Sequence, residues 1–76
     1  MSAAGVFVHE KGMCESESVG DGTRIWAHAH VMKGAVVGKG CNIGEGSFVE
    51  RGAVLGNFCT VKNGVSVWDK VTCEDY

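Results

Sequence analysis

The stretch VGDGTRIWAHAHVMKGAVVGKGCNIGEGSFVERGAVLGNFCTVKNGVSV, residues 19–67, decides the fold. An aliphatic residue returns at every sixth position: Val19, Ile25, Val31, Val37, Ile43, Val49, Leu55, Val61 and Val67. Four residues after each comes a small or medium side chain: Thr23, Ala29, Ala35, Cys41, Ser47, Ala53, Cys59, Val65 and Val71. Glycine keeps the same beat. Gly20, Gly38, Gly44 and Gly56 follow the aliphatic residue directly, and Gly22, Gly34, Gly40, Gly46, Gly52 and Gly64 come three residues after it. A period of six is neither a helix period nor a plain two-residue alternation, so it marks a repeat architecture.

Successive side chains of a strand point to opposite faces. The aliphatic residue and the small one four later therefore form the inward pair of each hexad. The bend is expected directly after the aliphatic position, where Asp21, Gly44, Asn57, Asn63 and Asp69 are suited to positive φ. Three short strands and three bends close one turn of a triangular prism, and parallel strands of successive turns pair at roughly 4.8 Å. The expected fold class is all-β, a parallel β-helix of about four coils. Residues 19–76 carry the repeat, and residues 1–18 read as an N-terminal tail and an irregular first coil. In that first coil Met13 keeps the beat, but Glu17 occupies the small-residue slot. The absence of proline agrees with continuous strand pairing.

The chain of 76 residues is one domain at most, near the lower size limit for folding alone. Hydrophobic residues make up 45 %, which excludes a disordered chain. No apolar run is long enough to span a bilayer, and the N-terminus lacks the basic and apolar segments of a secretory signal, so a cytoplasmic location is expected. The formal charge is -2 and the pI about 5.8, with basic residues scattered singly. That argues against a nucleic-acid surface, which needs a clustered basic face. The cysteines at 14, 41, 59 and 73 lack the close pairs of a zinc site. Cys41 and Cys59 fall in inward slots of adjacent coils and read as buried, reduced fillers, with no metal expected.

Four stretches add a resemblance: VGDGTRIWAHAHV (19–31), GKGCNIGEG (38–46), VLGNFC (54–59) and VKNGVSVWDKVTCED (61–75). They resemble the hexapeptide-repeat acyltransferases, whose fold is the left-handed parallel β-helix. Within these the chain is most similar to bacterial enzymes that N-acetylate a UDP-linked 2-acetamido-3-amino-2,3-dideoxy-glucuronate for surface polysaccharide. The likeness runs from about Val8 to Tyr76. It implies a homotrimer with sites between neighbouring prisms, acetyl-CoA as donor and a nucleotide sugar as acceptor. It also implies an amine attacking a thioester while backbone donors steady the oxyanion. Glu45, Gly46, Glu50 and Arg51 stand where those relatives carry amides and small residues. Lys62 and Gly64 replace a common amide pair, and Trp68 replaces tyrosine. The relatives continue past the equivalent of Asp75 into coils that build the acetyl-CoA cleft. The chain is thus expected to be a truncated form that binds no acetyl-CoA tightly and has no independent turnover.

The substrate-binding candidates are Arg24, Trp26, His30, Asn63 and Ser66. His30 is the candidate catalytic residue, since an imidazole can take a proton from an attacking amine near neutrality. Its competing reading is a surface or inter-subunit histidine, the commoner use of the residue. Arg24 can clamp a phosphate or carboxylate through its planar fork, or be a solvated charge. Trp26 and Trp68 project at bends, are expected to be exposed together with Val36, and can stack on a ring or anchor a subunit contact. Asn63 can bond a sugar, or serve only its bend. His28 fills a slot otherwise given to glycine, and neither it nor His9 is assigned a role. The GxG spacings belong to the repeat rather than to a nucleotide fingerprint. Two function classes remain: an acyltransferase-like nucleotide-sugar module, and a non-catalytic trimeric scaffold or binding module. Nucleotide-sugar binding separates them.

Overall fold

The computed structural model describes residues 5–68 and 72–73. Twelve two-residue strands are stacked as a parallel β-solenoid with three faces. The first face runs β1 (Phe7–Val8), β4 (Arg24–Ile25), β7 (Asn42–Ile43) and β10 (Thr60–Val61). The second runs β2 (Met13–Cys14), β5 (His30–Val31), β8 (Phe48–Val49) and β11 (Ser66–Val67). The third runs β3 (Ser18–Val19), β6 (Val36–Val37), β9 (Val54–Leu55) and β12 (Thr72–Cys73). All pairings are parallel, so each face is four strands deep. Among the described residues no helix is long and apolar enough to cross a membrane.

The beat works as the sequence implies. Ile25 stacks on Ile43, Val31 on Val49 and Val37 on Leu55, each nearly or fully buried. The small slots close the interior between strands: Ala29, Ala35, Ala53, Cys41 and Cys59 are buried, as are Thr23 and Ser47. The two buried hydroxyls are satisfied by the coil above. Thr23 Oγ1 donates to the Gly38 carbonyl at 2.8 Å, and Ser47 Oγ donates to the Lys62 carbonyl at 2.6 Å. A buried hydroxyl without such a partner would cost about 1–3 kcal/mol. Cys41 Sγ follows the same geometry, donating to the Gly56 carbonyl at 3.0 Å. Cys14 and Cys41 form no disulfide.

Four expectations are corrected. Met13 does not keep the beat: it points outward, 51 % exposed, and Cys14 faces inward under Val31. The lowest coil is one residue short, pairing Val8 with Ile25 and Cys14 with Val31 before the register settles at Val19 with Val37. Ser16 repairs the break, its hydroxyl donating to the Ala35 carbonyl at 2.6 Å. Second, positive φ falls three residues after the aliphatic position, at Gly22, His28, Gly34, Gly40, Gly46, Gly52, Phe58 and Gly64. Asn57 and Asn63 act instead through their side chains, each Oδ1 accepting a backbone N–H of the coil below, from Lys39 and Glu45. Third, Val65 is 43 % exposed rather than inward, because β11 beside it is the outermost strand of its face. Fourth, Trp26 is half-buried rather than exposed. Val71 and Asp69 lie outside the described residues.

Candidate functional site

The solenoid turns residues scattered through the sequence into columns. Arg24 is the outward residue of β4 on the first face, with Asn42 and Thr60 above it. Trp26 follows β4 at the edge where the first face meets the second, and Asn63 follows β10 at that same edge. His30 and Ser66 are outward residues of β5 and β11 on the second face, with Phe48 between them. Arg24, Trp26, His30, Asn63 and Ser66 therefore flank one edge of the prism. Trp68 belongs to a different edge, between the second and third faces, and is 61 % exposed.

Trp26 is held rigidly. Its indole Nε1 donates to Asn42 Oδ1 at 2.8 Å, and its ring meets Phe7 at 5.3 Å between centroids with a 58° tilt. One polar handle and one aromatic neighbour account for its burial. Arg24 is exposed, and no side-chain partner of its guanidinium is found among the described residues. It remains available to an anion. Asn63 has spent its carbonyl oxygen on the Glu45 amide, which leaves its NH₂ to donate outward. Ser66 is exposed.

His30 is the most constrained of the five. Phe48 packs edge-on to the imidazole at 5.1 Å and 88°. From the coil below, Glu15 Oε1 approaches Nε2 to 3.2 Å. That nitrogen has less than 1 Å² of accessible surface and falls short of an aligned hydrogen bond, so the contact is electrostatic. Glu15 was not legible as a site residue. It belongs to the irregular first coil, whose register is set by the one-residue shortening. Phe7 and Asn42, which brace Trp26, were missed because each reaches it from a neighbouring coil. His28 sits at the same edge with φ 61° and an exposed side chain. His9 Nδ1 accepts the Lys11 amide at 3.0 Å, a local turn contact. No group of three or more metal-ligating side chains occurs among the described residues.

Residues 18–51 match the bacterial transferase hexapeptide family, six repeats. The matched hexapeptide segment runs from β3 through β8 and the bend after it, and contains Arg24, Trp26 and His30. Asn63 and Ser66 lie beyond it on the same columns. No curated protein matches the chain.

Proposed function

We propose that this chain is an acyltransferase-like hexapeptide protein that binds the nucleotide-linked amino sugar of an N-acetyl transfer, working as a homotrimer. The observation that carries the reading is the gathering of Arg24, Trp26, His30, Asn63 and Ser66 along one edge. Their chemistry suits the ligand class. Arg24 supplies a free planar cation for a pyrophosphate or uronate, and the Asn63 amide and Ser66 hydroxyl suit sugar hydroxyls. Trp26 offers a rigid apolar wall beside them. Acetyl-CoA enters as the donor by family likeness, and none of these residues is assigned to it. The amine nitrogen would form a C–N bond to the acetyl carbonyl as the C–S bond breaks, and the amine proton would pass through His30 to the leaving thiolate.

The third face exposes Val36 and Val54, 44 % and 39 %, and Trp68 stands at its margin. That face suits a subunit contact in either reading. Calorimetric titration of a UDP-acetamido-amino sugar into the purified chain tests the proposal. Saturable binding is expected, weakened roughly tenfold or more by Arg24→Ala, as loss of a charge-assisted bond implies. A folded chain with no binding at millimolar ligand leaves only the scaffold.

A further inference from the structure

We infer that Glu15 is a positioning residue for His30, fixing its proton on Nε2 and leaving Nδ1 as the reactive nitrogen. The two ring nitrogens of His30 have unlike surroundings. Nε2 is sealed from solvent and lies 3.2 Å from the Glu15 carboxylate. A lone pair on Nε2 that close to a carboxylate would be repelled, whereas an N–H, even off the hydrogen-bond axis, is attracted. The neutral ring therefore carries its hydrogen on Nε2. Phe48 closes the ring from the coil above, so rotation cannot readily exchange the two nitrogens. The His30 side chain is nonetheless 30 % exposed, and with Nε2 sealed this exposure belongs to the rest of the side chain. Nδ1 is then the one nitrogen that can accept a proton from a ligand on the second face.

The device depends on the coil that breaks the beat. Glu15 directly follows β2, and its backbone N–H donates to the Val31 carbonyl at 2.8 Å. That bond ties the residue to the strand that carries His30. No other acidic side chain comes within ion-pair distance of His30 among the described residues. The arrangement has the logic of a carboxylate that orients a general base. The use of Nδ1 as base in acetyl transfer rests on the function proposed above. The geometry of the pair does not, and the test reads the geometry.

Alkylation of the chain with iodoacetate, followed by separation of the Nδ1- and Nε2-carboxymethyl isomers at each histidine, is the experiment. In the wild-type chain His30 is expected to be modified at Nδ1, at least about fivefold over Nε2. Exposed His28 serves as the comparator within the same molecule, with no such selectivity. Glu15→Ala uncovers Nε2 and should abolish the preference at His30. Glu17→Ala removes a nearby exposed carboxylate and should leave it intact. If Glu15→Ala does not fold, wild type in urea replaces it, and the preference should vanish there. An Nε2 adduct at wild-type His30 in the proportion seen at His28 overturns the inference. So does an unchanged Nδ1 preference in folded Glu15→Ala. Nδ1 selectivity in a chain that binds no nucleotide sugar would sink the proposed function and leave Glu15 in its place.

Discussion

Gly38 and Gly46 are both glycines on the beat, yet they are required for different reasons. A Cβ at Gly38 would lie 2.6 Å from the backbone of Gly56 in the next coil. At Gly46 it would meet nothing within 4 Å, but the backbone is left-handed, φ 70°. Asparagine tolerates that conformation and cannot remove a clash. Gly46→Ala is therefore expected to cost about 1–2 kcal/mol, with Gly46→Asn recovering part of it. Gly38→Ala should cost more, and Gly38→Asn should recover nothing. Urea unfolding of the four variants decides it, and equal rescue by asparagine at both sites would contradict the coil spacing. His28 and Phe58 show that the left-handed position is a property of the turn rather than of glycine, since both adopt φ near 60° there.

Cys14 provides a pH test at the same scale. Burial pushes its thiol above the ordinary value of 9.0. The folded chain thus holds this proton more tightly than the unfolded chain. Stability is unaffected by the group below the ordinary thiol value. It falls as pH rises from there toward the folded value, because only the unfolded state releases the proton. Cys14→Ser should flatten part of the decline in unfolding free energy above about pH 9. An alkaline slope identical in wild type and variant would show that Cys14 is not held as described.

At the scale of the strand and coil, the sequence was most informative where the repeat is strict. Every inward aliphatic from Val19 to Val67 is buried, and the stacking of Phe48 and Ser66 on the His30 column follows from the register alone. Legibility failed where a residue's role depends on a neighbouring coil. Counting sixes backward makes Met13 inward, but the coil is one residue short and Cys14 takes the place. The asparagines suit positive φ by residue type, yet they brace the coil below through Oδ1. That use is invisible in one dimension, because partner and acceptor lie far apart in sequence. Glu15 stayed hidden for the same cause, whereas Arg24, Trp26 and His30 were found through their motif.

At the scale of the molecule, the third face sets the expected assembly. Val36 and Val54 are exposed side by side, with Phe58 and Trp68 at its two margins at 57 % and 61 % exposure. A domain this small buries a modest fraction of its surface and gains by covering such a face. A homotrimer is therefore expected by analytical sedimentation at micromolar concentration, with Val36→Lys shifting it toward monomer. A stable wild-type monomer under those conditions would contradict this.

Under the function proposed above, one edge of the prism, between the first and second faces, holds a nucleotide sugar. Amide and indole NMR shifts of the labelled chain, followed during titration with a UDP-acetamido-amino sugar, test it most directly. Saturating shifts are expected at the Trp26 indole and at Arg24, His30, Asn63 and Ser66, with Val36, Val54 and the Trp68 indole unmoved. Shifts confined to the third face or to Trp68, or no saturating shift in a folded chain, would contradict it.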